Sequence, residues 1–557
     1  MRVAVIGGGP GGLFAGTLIK RSDPDHEVTV FERNRADDTF GFGVVFSDAT
    51  LAGIHAADPV LLTALTDHGA HWDAIEVRLH GERHRCGGNG MAAVERRTLL
   101  ALLQQRAIAE GVDVRFSAEA GVDDVVAAGY DLVVAADGAN SRVRERYRDA
   151  FGPSTETATA KFIWLGTTYP FAGLTFVHER GPHGVFAVHG YPIGSGVSTF
   201  IVETDEPSWA AAGLDEFDTA APPGPSDEKS RGYLQLLFAE QIAGHTLLVN
   251  NSRWGNFRTN RARRWRHRVG STAIALLGDA AHTAHFSVGS GTKMAMEDAI
   301  ALAAALAAHP GDVDAALAGY EQVRRPLVGK IQDSARPSLS WWEHFGRSHD
   351  ALPGWQFAYH FFTRSLTDGK LRRRDPEFVE ATHARWKAAH GGTPLDSALT
   401  LPRPAARSAR SARSARSARS ARSARRARSV PGRVVTVRHG AVEAAGERLP
   451  LLTGPTDGHD WALEVTAPRA EADLGPALRA VAGAAGRGAA LVAVRGGTPL
   501  ARRLICEEAR LGHGIPALLI EDGDTDAAVT AVLSGRADLV ARPEADSAEL
   551  EEVEQHA

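Results

Sequence analysis

The first apolar run, VAVIGGG from Val3, has the length of a strand and breaks into glycines. The segment behind it, PGGLFAGTLIKRS, carries its apolar positions at helical spacing, and HEVTVFERN is again apolar over a strand's length. Strand, helix and strand in that order predict a βαβ unit, hence a parallel sheet joined by a right-handed crossover. The helix-like RRTLLALLQQRAIAEG then leads to VDVRFSAE and YDLVVAADG, but a further strand of the same kind, TAIALLGDA, arrives only after residue 270. This domain is therefore expected to be discontinuous. Between its pieces, residues 160 to 250 hold KFIWLGTTY, GVFAVHGYP, VSTFIVET and HTLLVNNS, which predict an inserted, mainly antiparallel sheet.

Residues 331 to 390 read as helical and hold Trp341, Trp342, Phe345, Trp355, Phe357, Tyr359, Phe361 and Phe362. Such a group is either packed core or one wall of a pocket for a planar ligand. From Arg407 a Ser-Ala-Arg triplet repeats, and a three-residue period winds its arginines around a helix instead of along one face. A solvated linker over 401–433 is the simpler reading, a nucleic-acid-binding tail the other. Beyond it, AALVAVR, TPLARRLICEEARLG, PALLIED, DTDAAVTAVLSG and ADLVARP alternate strand and helix. Two or three such units are too few for an eight-stranded barrel, so their sheet needs another cover.

Composition narrows the setting. A chain of 557 residues suggests three or four domain-sized units, and 44% hydrophobic with 23% charged residues is ordinary for a folded protein. The start MRVAVIGGG lacks the layout of a signal peptide, and no apolar run approaches the ~18 residues of a spanning helix. A cytoplasmic protein without membrane contact is expected. Cys86 and Cys506 stand alone, so neither a disulfide framework nor a metal site is indicated. The net charge of −5 conceals a split, because residues 403–433 hold eleven arginines and no acid, leaving 51 basic against 67 acidic residues elsewhere. An acidic body argues against nucleic acid as a partner.

Gly7, Gly9 and Gly12 fit G-x-G-x-x-G between strand and helix, where missing side chains let backbone and helix N-terminus approach a pyrophosphate. A glycine turn needed only for helix packing is the alternative. Glu32, with Arg33 beside it, ends the second strand at the distance where an acid accepts bonds from ribose hydroxyls. The motif does not choose between NAD and FAD. Two further strand ends bear on that choice: Asp137 and Gly138 in YDLVVAADGANSRVR, and Asp279 in ALLGDAAHTAHFSVGSGTKMAMEDA, whose turn holds Gly289 and Gly291. By itself Asp279 also suits a helix N-cap.

Together the three segments resemble the signatures of the single-component aromatic hydroxylase flavoproteins, the family of para-hydroxybenzoate hydroxylase. The resemblance implies FAD as cofactor, NADH or NADPH as transient reductant and molecular oxygen as co-substrate. It also implies that Asp279 meets the FAD ribityl chain and that Arg96 contacts the cofactor near its ribityl and phosphate region. GFGVVFS, residues 41 to 47 with Gly43, offers glycines for close backbone approach to a planar ring and is expected near the flavin. ERNRADDTFGFGVVFSDATL and LRRRDPEFV, with the third signature, are similar to the subgroup that hydroxylates aromatic thioesters. An aromatic acyl-CoA, salicylyl-CoA foremost, is then the implied substrate. An anthraniloyl-type ring on CoA or a carrier protein is the rival, and a non-catalytic flavoprotein the alternative of another class. His285, Phe286 and Lys293 replace a proline pair and an asparagine of the general pattern, so contacts made there do not transfer.

The expected architecture is α/β: a Rossmann-like FAD-binding domain (about 1–72, 93–158 and 270–330) with an inserted antiparallel substrate sheet (about 73–92 and 159–269). A helical part (331–400) follows. Residues 434–557 resemble the end of an old-yellow-enzyme barrel, a partial βα-barrel remnant with about 125 residues where a full barrel takes about 250. A second flavin site is not expected, and a homodimer is left open. Deprotonating a phenol calls for a base of near-neutral pKa, which makes His285 and His282 the candidates. Imidazoles bonded to nearby backbone are the plainer reading. Arg258, Arg261, Arg263, Arg264, Arg266 and Arg268 either meet CoA phosphates or a carrier's acidic helices, or form a solvated turn.

Overall fold

A computed structural model describes residues 1–39, 41–217, 224–288, 291–401, 428–444, 447–454, 456 and 461–543. The chain divides into two compact units, Met1–Gly346 and Arg347–Ala557.

The first unit is built on a six-stranded sheet. Thr272–Leu276, Leu132–Ala135, Arg2–Ile6, Glu27–Phe31 and Asp113–Arg115 lie side by side and parallel, and Arg266–Val269 adds an antiparallel edge. Val3, Ala4 and Val5 are fully buried, as are Leu132 to Ala135 and Ala273 to Leu276. Burial on both faces explains why these strands read as unbroken apolar runs. Helices Pro10–Ser22, Arg96–Ala109 and Gly291–Ala308 belong to the same core.

The inserted sheet has eight strands, centred on Pro153–Thr167, Ser198–Thr204, Gly184–Pro192 and Thr175–Gly181. Its ladders are antiparallel except between Thr175–Gly181 and Ile75–Leu79. Pro153–Thr167 starts before residue 159, because its first half pairs with Gly255–Ala262 at the level of the nucleotide domain. Gly43–Ser47, Met91–Glu95 and Ala70–Trp72 form a third, small sheet.

One face of the inserted sheet is ordinary core, with Ile163, Leu165, Val188, Phe200 and Val202 closed over by Leu234 and Phe238. The other face differs. The register sets Phe162 beside Glu203, Trp164 beside Ile201, and Ile201 beside His189, with His189 opposite Phe176. Cross-strand partners share a face, so this side is aromatic with charges set among the rings. Trp341, Trp342 and Phe345, from the helix Val313–Ala351, meet it: Trp342 lies 4.3 Å from His189 and 5.8 Å from Phe176, and Phe345 5.7 Å from His178.

In the second unit Phe357, Tyr359, Phe361 and Phe362 are buried on the helix Gly354–Phe362. The aromatic run therefore splits between a sheet face in one unit and a core in the other. Four strands, Ala462–Thr466, Leu491–Arg495, Ala517–Ile520 and Leu539–Ala541, run parallel in sequence order, with helices Gly475–Gly486, Pro499–Glu507 and Thr525–Leu533 between them. Sequential order without a reversal is the winding of a βα-barrel segment. The segment is not left open. Glu447–Leu452 pairs with Ala462–Thr466, and a meander through Ala441–Ala444 and Thr436–Arg438 extends it. Immediately before Thr436, the chain pairs with the last strand instead, through Val435 N to Val540 O (3.0 Å) and Val540 N to Arg433 O (2.9 Å). One segment thus joins both edges, and the sheet closes around Val435, Val437, Val442, Leu449, Leu451, Leu491, Leu518 and Leu539. This is the cover that the short barrel segment needed, and closure removes its open edges.

Of the span read as a linker, Arg428–Val430 pairs with Leu399–Leu401, and the Ser-Ala-Arg repeat lies outside the described residues. No helix among the described residues is long and apolar enough to cross a membrane, and none of them forms a group fit to hold a metal ion.

Candidate active site

Three turns leave neighbouring parallel strands at one level. Ile6 is in register with Ala135, and Ala135 with Leu276, so the chain turns at Gly7, at Asp137 and at Gly278–Asp279 side by side. The carboxyl ends of such strands are where open α/β sheets bind ligands. The turns are also tied to one another. A Cβ on Gly7 would lie 2.3 Å from Ala136 O, so only glycine permits the first two to touch. Arg144 donates from Nη1 to Ala280 O (2.7 Å) and Asp279 O (3.3 Å), and from Nη2 to Ala139 O (2.7 Å). Gly11 faces Ala295, on the helix that follows the third turn. Arg144 did not stand out in the sequence, where it is one arginine among several in SRVRERYR.

The glycines of the first turn do different jobs. At Gly12 a Cβ would sit 2.0 Å from Gly7 O, so packing of strand against helix excludes a side chain. At Gly9 the position is empty to 4 Å and φ is −73°, so neither packing nor backbone asks for glycine there. Glu32 accepts from Gly8 N (2.8 Å), Asn34 N (2.8 Å) and Asn34 Nδ2 (2.7 Å), and Arg33 beside it is exposed. Asp137 accepts from Arg142 N (2.7 Å) and Val143 N (3.2 Å) through Oδ2, while its buried Oδ1 has no partner among the described residues. Gly138 follows with φ of +83°.

Asp279 is solvent-exposed yet ringed by protein, the signature of a group lining a cleft. Desolvation raises its pKa, opposed by His282 and Arg96. Arg96 opens its helix with a buried Nε that has no partner among the described residues, and desolvation lowers its pKa against the pull of Tyr191 and Asp279. A Cβ on Gly291 would lie 4.0 Å from Asp279 Oδ1, and Gly289 falls outside the described residues. An open backbone at Gly9, orphaned polar atoms on Arg96 and Asp137 and a cleft-lining acid at Asp279 suit an extended polar ligand with phosphates and hydroxyls. Gly43 has a different reason to be glycine. A Cβ there would lie 2.2 Å from Ile193 and 2.7 Å from Thr199 Oγ1, so it lets the small sheet pack on the inserted one, and Tyr191 Oη reaches its carbonyl (3.3 Å). Burial pushes the Tyr191 phenol up to about 12, which keeps it neutral.

The two histidines part company. His282 is buried, stacked on Trp265, with Nε2 2.7 Å from Asp298 Oδ2. Asp298 also accepts from Gly278 N (3.1 Å) and from Arg324 Nε (2.7 Å). That set braces the third turn from beneath. His285 is buried against the aromatic face, 4.9 Å from Phe257 and 4.2 Å from Phe286. Its Nδ1 meets Ser287 Oγ (2.8 Å) and its Nε2 lies 3.4 Å from Glu203 Oε2. Glu203 holds His189 Nε2 at 2.6 Å on its other oxygen. Burial pushes the Glu203 carboxyl upward, but His285 and His189 outweigh it and hold the pKa below the usual carboxylate range. Sequence reading missed Glu203 and His189, whose only signal is a lone charge within strand-forming segments. Phe42, Phe162, Trp164 and Phe286 are part-exposed around this face, with Trp164 Nε1 buried and without a partner among the described residues.

The arginine cluster is largely consumed on the surface. Arg261 pairs with Asp333 (2.9 Å), Arg266 with Glu321 (3.4 Å) and Arg268 with Asp314 (2.9 Å), while Arg258 bonds Asn140 (2.7 Å).

A parallel sheet with a glycine-rich first turn, an acid at the third and an aromatic, charge-bearing face on an inserted sheet defines a flavin-nucleotide oxidoreductase. Residues 1–335 match the FAD binding domain family, and the chain belongs to it. It is an FAD-dependent monooxygenase. It is 55% identical over 548 residues to salicyloyl-CoA 5-hydroxylase of Streptomyces sp, covering 97% of this chain and 99% of that one, so the likeness takes in the second unit. It is 38% identical over 341 residues to 3-hydroxy-4-methyl-anthranilyl-[aryl-carrier protein] 5-monooxygenase of Streptosporangium sibiricum, covering 61% of this chain and 89% of that one. In fold it is similar to p-nitrophenol 4-monooxygenase PnpA from Pseudomonas putida DLL-E4, with TM-score 0.52, 17% identity, and coverage of 68% of this chain and 96% of the other.

Proposed function

We propose that this protein hydroxylates the ring of an aromatic acyl thioester, with salicyloyl-CoA as substrate and position 5 as the site attacked, giving gentisyl-CoA. The observation that carries the reading is the aromatic, charge-bearing sheet face next to the turn of Asp279. It gives a flat ring a place beside the nucleotide cleft, and full-length likeness to a salicyloyl-CoA 5-hydroxylase supplies the substrate class.

Backbone at Gly7, Gly9 and Gly12 would receive the FAD pyrophosphate, with Glu32 and Arg33 toward the adenosine end. Arg96, Asp137, Gly138 and Asp279 would hold the ribityl region, and Gly289 and Gly291 would lie by the flavin ring. FAD, when bound, supplies the redox chemistry, taking a hydride from NADH or NADPH and delivering an oxygen atom from O2. The chain's part is to orient and to keep water out. Phe162, Trp164, Phe286 and Trp342 enclose the ring on apolar surface, the Trp164 indole N–H donates to a substrate oxygen, and His285 is the base on which a proton from the ring hydroxyl is finally held. With Arg261, Arg266 and Arg268 neutralised by surface acids, the arginine cluster reads as a solvated turn instead of a cradle for CoA phosphates.

An anthraniloyl-type ring on CoA or a carrier protein is the second reading, favoured by the likeness to the anthranilyl-carrier monooxygenase. Product analysis with salicyloyl-CoA, 2-aminobenzoyl-CoA and free salicylate, under NADH and NADPH in turn, tests both. Gentisyl-CoA from the first substrate is expected. Turnover of the free acid alone would end the thioester assignment.

A further inference from the structure

His285 is doubly engaged, and its hydrogen bonds fix its state. Ser287 N lies 3.3 Å from Nδ1. A backbone N–H only donates, so Nδ1 accepts, and in the neutral ring the proton belongs on Nε2, which faces Glu203. The Ser287 hydroxyl, 2.8 Å from the same Nδ1, then donates to it as well. Carboxylate, imidazole and hydroxyl therefore stand in series. Of the three, only Ser287 is part-exposed, on the loop whose Phe286 packs on the aromatic face, while His285 and Glu203 are 2% and 1% exposed. His285 has no ring nitrogen left for a substrate, but Ser287 has its oxygen.

Resting on the thioester-hydroxylase reading, we propose that Ser287, His285 and Glu203 form a proton relay. Ser287 is the catalytic hydroxyl that meets the ring hydroxyl, and Glu203 is a positioning residue acting through His285. As the ring O–H breaks, its proton passes to Ser287 Oγ while the Ser287 proton passes to His285 Nδ1, leaving a phenolate and an imidazolium beside Glu203. When the hydroxylated ring regains aromaticity, the ring carbon that gained oxygen releases its hydrogen as a proton to solvent, and the imidazolium returns its proton through Ser287 to the ring oxygen. Serine is regenerated, and no group is consumed. An ortho hydroxyl of an aryl thioester bonds its own carbonyl and gives up its proton reluctantly, which is why a base held in position is useful. His189, 2.6 Å from Glu203, supplies the second contact that keeps the carboxylate charged in a buried place.

The other charged groups on elements packed around His285 have partners of their own. His282 is held by Asp298, Arg258 by Asn140 and Arg261 by Asp333. Arg336 and Glu343 on the long helix face each other at 4.0 Å, and Glu343 also accepts from Thr159. Ser338 Oγ lies 3.0 Å from Ser287 Oγ.

The test uses FAD-loaded wild type, S287A, S287T and E203Q. Salicyloyl-CoA and, separately, free salicylate are titrated into the oxidised enzymes, and phenolate absorbance of the bound ligand is followed against pH. In S287A and E203Q the bound hydroxyl should ionise about one pH unit higher, kcat should fall about 10²-fold with KM little changed, and S287T should restore both. E203Q acts in this direction because losing the anion makes imidazolium formation harder. S287A that ionises its ligand and turns over like wild type overturns the relay, whatever E203Q does. If wild type hydroxylates only free salicylate, the thioester reading falls and the same comparison on salicylate still decides the relay. If wild type binds neither ligand, both fall.

Discussion

Gly9 and Gly12, three residues apart, should fail in different ways when each is replaced by alanine. At Gly12 the new methyl would lie 2.0 Å from Gly7 O, so strand and helix must separate by about 1 Å. Overpacking of that severity costs roughly 3 kcal/mol, less about 1 regained from alanine's better helix propensity, for a net loss near 2 kcal/mol and, in a unit that runs Met1–Gly346, a Tm lower by roughly 3 °C. At Gly9 the methyl meets nothing within 4 Å and φ is already −73°. The apoprotein should lose at most about 1 kcal/mol, from the poorer N-cap. If the reading of this turn is right, the Gly9 position is open because a pyrophosphate comes close to it. G9A should then weaken FAD binding at least tenfold, about 1.4 kcal/mol, with apoprotein stability nearly kept. Apoprotein melting curves and FAD titration by fluorescence quenching separate the two effects. G9A with wild-type FAD affinity would refute the claim that this turn receives the cofactor, and an undamaged G12A would refute the packing argument.

Three other outcomes follow from the same geometry. D298N removes the anion between His282 and Arg324, and leaving buried partners unpaired should cost about 3–5 kcal/mol in chemical denaturation at neutral pH. Burial raises the Asp298 pKa but His282 and Arg324 bring it net below its ordinary value, so its contribution is present above about pH 4 and lost as pH falls through the lowered value; the gap from wild type should close only there. His360, buried in the second unit with Arg536 nearby, is held well below the usual histidine range. The unfolded chain then binds the extra proton first, so stability should drop as pH falls below about 6.5, read as declining hydrogen-exchange protection of Gly354–Phe362 and flattened in H360Q. Flavin released by acid should be FAD alone at one per chain, because the second unit's closed sheet is filled by its own side chains; FMN, or a second flavin, would contradict that.

Much of the nucleotide domain was legible because its signals are local. A strand buried on both faces must be apolar throughout, and its turn must be glycine where a neighbouring backbone touches it, as at Gly7 against Ala136. Asp137 and Asp279 could be placed at strand ends for the same reason. The division of labour between Gly9 and Gly12 could not, since both look alike until the strand is seen against the helix. His282 and His285 were equal candidates in the chain, three residues apart; the fold aims one at Asp298 below the turn and the other at Glu203 on the sheet.

What the sequence alone determined, then, is the set of segments whose requirement is met within a few residues: period-2 and period-3.6 burial, glycine turns, and the order strand, helix, strand. What only the tertiary structure decided is who meets whom across long separations. Glu203 reads as a solvent-facing member of an alternating strand, yet all of Ser198–Thr204 is buried, because helix Val313–Ala351 and the loop of His285 cover the face that alternation would leave wet. Likewise, the pairing of Val435 with Val540 that closes the second unit leaves no mark in either segment, since a backbone hydrogen bond is the same for every residue that can donate one.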